Sequence, residues 1–293
     1  MAPVAAKPGG ARVTRNVVDT HGRRRSIRKM NTAPSPMNVP ESKLIRRFRW
    51  SCSLLATGLA VALCTGCVTN GRRVLLREYG PSIPVVADGA LKGSTVYLKG
   101  FTCAQDLIAL ELQTKPEEPA SFKYLELTRE QDKTWEKEMK ALQKETREES
   151  WKKIGNMRNG FGMVMSHVWA LNDPATWMAE GIKFDLEAQG AKVVDATQAG
   201  DADISVSGTI QLCREDMYFT VNASLAVDLD VQPRKGQARR RQIHTRGATA
   251  AMLASEGEYF HALRDARQKF SILAIHEISQ AVKPDPVKQS SAK

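Results

Sequence analysis

Between Asp203 and Val231 apolar and polar residues alternate almost one for one. Ile204, Val206, Gly208, Ile210 and Leu212 alternate with Ser205, Ser207, Thr209 and Gln211. Phe219, Val221, Ala223, Leu225, Val227, Leu229 and Val231 then alternate with Thr220, Asn222, Ser224, Asp228 and Asp230. A two-residue period sends one set to a buried face and the other to solvent. It predicts strands over Asp203–Cys213 and Phe219–Val231, joined by a turn at Arg214–Met217 into an antiparallel hairpin. Ser94–Phe101 reads as a first strand with Val96, Leu98 and Phe101 inward, and Ala191–Ala196 as a short apolar one. Arg240–Arg246 reads as a charged strand near an edge, where such side chains blunt unwanted pairing. The spacing of Phe161, Val164 and Val168 leaves residues 160–170 open between a further strand and a loop.

Two segments switch to helical spacing. Met178, Ile182 and Leu186, widened by Trp177 and Phe184, follow a cap at Asn172 or Asp173 and Pro174 in the first turn, and Gly190 stops the run. Ser255-Glu256-Gly257-Glu258 is a capping box before the stripe Leu263, Ala266, Phe270, Leu273, Ala274, continued by Ile275, Ile278 and Val282. A third helix, within Thr128–Lys153, is charged almost throughout, with eight basic and seven acidic residues. Trp135, Met139 and Leu142 share one stripe there, but Trp151 and Ile154 fall on a rotated face, so no heptad is sustained. It reads as a solvated helix leaning on the body or as a partner-docking arm. Alternating strands need one layer of cover, and two amphipathic helices supply it. The expected fold is an α+β two-layer sandwich: a mixed sheet of four or five strands with an antiparallel hairpin, two packed helices and one inserted charged helix.

Ahead of this domain the character changes. Ser53–Leu63 is an apolar run of eleven residues preceded by Lys43, Arg46, Arg47 and Arg49. As a helix it would cover ~17 Å, short of the ~30 Å hydrocarbon core of a bilayer. That is the size of a secretory core segment, removed on export. Thr65-Gly66-Cys67 resembles the lipobox of bacterial lipoproteins, although Cys64 stands where that pattern usually has Leu. The resemblance implies a diacylglycerol thioether on Cys67, cleavage before it, and palmitate on the mature protein. Val68, not Asp, follows, which by the same analogy favours the outer membrane. The expected divisions are a disordered leader at 1–36, which a start at Met37 would leave out, a lipoprotein signal peptide at 37–66, a tether at 67–92, a domain at 93–283 with a helical insertion at 121–157, and a disordered tail at 284–293.

Charge then excludes one class of partner. The chain carries +11, but residues 1–66 hold twelve basic side chains against Asp19 and Glu41, leaving +1 for the remainder. A nearly neutral domain lacks the surplus that neutralises phosphates, so no nucleic-acid partner is expected. Cys103 and Cys213 would remain after export and form a candidate disulfide. His167, His244, His261 and His276 show no metal-binding spacing, and no nucleophile elbow or phosphate loop occurs. No metal, cofactor or catalytic residue is therefore expected. Arg234, Lys235, Arg239, Arg240, Arg241 and Arg246 cluster on one hairpin, as a candidate patch for an anionic partner or as a solvated loop.

Arg158-Asn159-Gly160-Phe161-Gly162-Met163, Asn172-Asp173-Pro174-Ala175-Thr176-Trp177, Glu187-Ala188-Gln189-Gly190 and Ala202-Asp203-Ile204-Ser205-Val206-Ser207-Gly208 together resemble small bacterial envelope lipoproteins of the YajG family. The resemblance spans residues 94–283 and implies a domain like the N-terminal domain of TolB, used for binding or assembly and not for catalysis. It carries no functional residues across. The expected function is a periplasm-facing, lipid-anchored envelope protein, bound to the membrane through its anchor and to a protein partner or to further copies of itself, in envelope assembly or transport. The rivals are a regulator of peptidoglycan synthesis and an enzyme with a scattered site.

Overall fold

The computed structural model describes residues 71–86, 89–112, 114–120, 123–146, 150–159, 161–250 and 255–282. The expected leader, signal peptide, Cys67 and tail lie outside them. The strands are β1 Arg72–Val74, β2 Thr95–Cys103, β3 Lys152–Arg158, β4 Val164–Ala170, β5 Lys192–Val194, β6 Ile204–Met217, β7 Thr220–Pro233 and β8 Arg239–Ala250. The helices are α1 Arg129–Glu145, α2 Pro174–Ala188 and α3 Glu256–Val282, with a 3-10 turn at Ala196–Asp201.

All eight strands join one mixed sheet, more than the four or five expected. β6 is its spine, antiparallel to β7 along its whole length, and β7 in turn pairs antiparallel with β8. The other edge of β6 forks: its first half runs parallel to β2 and its second half parallel to β3. β5 extends the β2 branch, while β4 and then β1 extend the β3 branch. The chain leaving β2 fills the fork through Ala104 N–H to Ile210 O and Cys213 N–H to Leu107 O, each 2.9 Å. β8 is an edge strand, as its charges suggested, and Glu117 N–H caps part of that edge by donating to His244 O.

The helices follow their stripes. α2 covers β2 and β5, α3 covers β7 and β8, and the two meet. Trp177, Met178, Ile182 and Leu186 are buried beneath α2, and Phe260, Leu263, Phe270 and Ile278 beneath α3. The box at Ser255 closes on both sides, with Ser255 N–H donating to Glu258 and Glu258 N–H to Ser255 Oγ. Asp173 caps α2 by position, but Asn172 is committed elsewhere: its side chain brackets the backbone of Leu76. α1 leans on the body, with Trp135 stacked on Phe260 at 5.0 Å and donating to Leu75 O.

Three expectations need correction, and one open reading closes. The 67–92 tether is largely domain: Arg72–Val74 is a strand, and Leu75, Leu76, Ile83 and Leu91 are buried. The 121–157 insertion ends early, because residues 152–157 belong to β3. The open segment 160–170 carries β4. Arg214–Met217 is strand and not turn, since a bulge between Ile210 and Leu212 resets the alternation and carries β6 on to Met217. The hairpin therefore turns at Tyr218–Phe219. Phe219, counted as inward, is 72% exposed at φ +89°.

Candidate functional site

β1 lies parallel to β4, with Arg72 opposite Val168 and Val74 opposite Ala170. Gly71 sits so close to His167 O and the Trp169 ring that an added Cβ would overlap them. The chain therefore enters the sheet beside β4, five residues after Cys67.

That entry points toward an end of the sheet where two hairpins turn side by side. β3 ends next to β6 with Met157 opposite Met217, so the β3–β4 and β6–β7 turns are neighbours. Arg158 bridges them, its Nε 2.9 Å from Asp216 Oδ1 and its guanidinium donating to Gly162 O. Asn159 organises the first turn: its side-chain oxygen accepts from both Phe161 N–H and Met163 N–H at 3.0 Å. In the second turn the Tyr218 and Phe219 rings meet edge on at 4.6 Å. Both tips face outward. Phe161 is 88% exposed, and Met163, Val164, Met165, Tyr218 and Phe219 are exposed with it.

The interior shows the opposite chemistry. Glu78 receives Arg264 Nε at 3.0 Å, Arg267 Nε at 2.9 Å and the Trp177 indole N–H at 3.2 Å. Asp185 receives Arg267 Nη1 at 2.9 Å and both the N–H and the hydroxyl of Ser82. All four ionic side chains are nearly or fully sealed from solvent. Burial alone would pull the Arg267 guanidinium down, but Glu78 and Asp185 outweigh it and hold it above its ordinary value. Charges at this depth persist only when paired and hydrogen-bonded. This network rivets the segment after β1 to α2 and α3. Sequence reasoning missed it, although Asp185 stands on the Met178–Ile182–Leu186 stripe and Arg264 and Arg267 on the Leu263–Phe270 stripe. Charges at core-spaced positions were the available signal.

Beneath the N-terminal end of α3 lies a second polar group. The bulge in β6 turns Glu215 to the core face, and both of its carboxyl oxygens, like the Tyr259 hydroxyl, find no hydrogen-bond partner among the described residues. Burial pushes the Glu215 carboxyl well above its ordinary value and raises the Tyr259 phenol as well. Burial thus disfavours the charged form of Glu215.

Cys103 and Cys213 are free thiols, so the candidate disulfide is not formed. Cys103 turns to Asp173, and its thiol is raised to about 11 by burial and that carboxylate. Cys213 is fully buried, its thiol raised by burial, by Glu215 and by the proximity of Cys103. Within the arginine hairpin, Arg241 pairs with Glu117 and Glu277, Arg240 reaches Asp228 and Asp230, and Arg239 donates to Gln280. Arg234, Lys235 and Arg246 are exposed. The chain's own carboxylates therefore face two of the six cations, Arg240 and Arg241. A surface cavity of about 380 Å³ opens between α1, α3 and β8, where His261 Nε2 lies 3.7 Å from Asp132. Three of its other polar groups serve the fold: Arg264 and Gln268 hold Leu125 O, and Asp265 accepts from Ala248 N–H. Among the described residues no group of three or more His, Cys, Asp or Glu side chains is placed to hold a metal ion. No described helix is long and apolar enough to cross a membrane.

No family model and no curated protein matches this chain. Among solved structures it is similar to a Xanthomonas campestris protein described under DUF330, at 8% identity over 75% of this chain and 99% of the other, with a TM-score of 0.41. An uncharacterized protein matches at 8% identity over 69% and 99%, with a TM-score of 0.38. A hypothetical protein of Chlamydia trachomatis matches at 10% identity over 66% and 99%, with a TM-score of 0.25.

Proposed function

We propose that the chain is a lipid-anchored protein of the bacterial envelope, held at Cys67 and facing the periplasm from the outer membrane. Its YajG-like domain binds a protein partner, or further copies of itself, in envelope assembly or transport, and performs no chemistry of its own. The observation that carries this reading is the closeness of the lipobox-like cysteine to the sheet: β1 begins five residues after Cys67. Acyl chains on that sulfur, each buried methylene adding ~0.8 kcal/mol of membrane affinity, would fasten the folded domain and not merely a loose tail.

The same closeness weakens the peptidoglycan-regulator rival. A tether of 25 residues could extend ~85 Å, whereas the stretch from Cys67 to Arg72 extends only ~17 Å. Growth with radiolabelled palmitate tests the proposal. Label is expected on the wild-type protein and not on Cys67→Ser; an unlabelled wild-type protein recovered from the cytosol would overturn it. Crosslinking in the native envelope separates the partner classes, since assembly or transport components fit this reading and a cell-wall synthase fits the rival.

A further inference from the structure

We infer that the paired hairpin tips, Phe161 with Met163 and Tyr218 with Phe219, form a membrane-contacting surface that dips into the same lipid leaflet that holds the anchor. The inference rests on the lipid-anchor reading and deepens it by saying which face of the domain meets the bilayer.

Arg72 of β1 is opposite Val168 of β4, and the two strands run in the same direction. Arg72 lies five positions after Cys67, and Val168 five positions after Met163. At ~3.3 Å per extended residue both stretches cover about 17 Å. The chain ahead of β1 is therefore long enough to place Cys67 level with the β3–β4 tip. It is too short to carry the anchor to the far end of the sheet, where β6, fourteen residues long, begins.

Composition at this end matches a lipid interface. Large apolar side chains stand in water on both tips, Phe161 at 88% and Phe219 at 72% exposure, with Met163, Val164, Met165 and Tyr218 around them. Scattered exposed apolar residues are ordinary, but a contiguous set at one end marks an interaction surface. Two aromatic-bearing turns present edges and faces suited to the boundary between headgroups and acyl chains, where such rings concentrate.

The exposure is also built in. Asn159 fixes the first turn through two backbone N–H groups, and the Arg158–Asp216 pair locks that hairpin to its neighbour. In the second turn a phenylalanine occupies a left-handed φ of +89°, where glycine or asparagine would sit with less strain. A residue that is both strained and exposed costs the fold stability, which points to use outside it.

The test uses the full chain in its native envelope, with the photoreactive analogue p-benzoylphenylalanine placed at Phe161, at Phe219 or, as a control, at Val85. Val85 is 71% exposed and precedes Val86, whose N–H binds Ala188 O at the end of α2, toward the far end of the sheet. Each strain is grown with labelled palmitate, irradiated and analysed by mass spectrometry. The expected result is a phospholipid-sized mass gain at Phe161 and Phe219 at least tenfold more abundant than at Val85. Met163 offers a further position if either aromatic site lowers the yield. Palmitate incorporation with adducts only to protein, to a second copy, or to nothing would overturn the tip surface while leaving the anchor in place. Absence of palmitate would overturn the anchor reading, and this inference with it.

Discussion

At the junction of α2 and α3, Glu78, Asp185, Arg264 and Arg267 are sealed from water. At the turns beyond β3 and β6, Phe161, Met163, Tyr218 and Phe219 stand in it. The two regions invert the usual distribution of charge and oil, and for different reasons. The buried charges are partnered almost atom for atom, so they act as a rivet that fixes one packing of the N-terminal segment on the helices. The exposed apolar side chains are held outward by turns with little else to gain, so the fold does not account for them. Removing a member of the first region should damage the fold, whereas removing a member of the second should leave it intact or improve it.

The largest effect is expected from Arg267→Ala, which strands Glu78 and Asp185 without their shared cation. Breaking one side of a buried pair typically costs about 3–5 kcal/mol, readable as a lowered urea midpoint. A loss below ~1 kcal/mol would contradict the rivet. Gly181→Ala sharpens the same point. An added Cβ there would overlap the Arg267 guanidinium, which cannot swing aside because Glu78, Asp185 and Ser271 hold it. Overpacking of this kind costs about 1–3 kcal/mol.

Glu215 gives a pH-dependent test. Its folded carboxyl is raised well above the ordinary 4.5 by burial, so the folded state keeps a proton that the unfolded state releases. Its contribution to stability is complete below pH 4.5 and declines as pH rises above that value, by up to ~1.4 kcal/mol per pH unit. Glu215→Gln should flatten the decline of stability between pH 5 and 8 when unfolding is followed at several pH values. An unchanged slope would mean that burial does not raise the Glu215 carboxyl. The smallest effects belong to the tips. Phe219→Gly should raise stability by about 1 kcal/mol by relieving the left-handed φ, and Phe161→Ser should stay within ~0.5 kcal/mol of the parent. A loss above that range at either tip would make the exposed aromatics part of the fold and dissolve the contrast.

The long alternation of β7, the charged edge at β8, the α2 stripe and the capping box of α3 were legible because each repeats a period or cap whose physical cause is local. β3 was not. Lys152 and Lys153 continue a charged run that reads as helix, and what makes them strand is pairing with Ala170 and Trp169 across the following turn, while β6, much later in the chain, holds Gly155–Met157. β1 has three residues, too few for any period to show. The bulge after Ile210 is a tertiary adjustment, and it moved the turn, buried Glu215 and carried Phe219 from the expected core to the surface. The candidate anchor at Cys67 is readable from its motif. The Glu78 network hides in a stretch that reads as a tether, and its partners only acquire meaning once that stretch packs against α2 and α3.

The central claim is that Cys67 carries the membrane anchor and begins the mature chain. Mass spectrometry of the N-terminal peptide of the protein recovered from envelope membranes tests it most directly. The expected peptide starts at Cys67 and bears the diacylglyceryl group. A peptide that retains residues ahead of Cys67, or begins there with an unmodified thiol, would contradict the account.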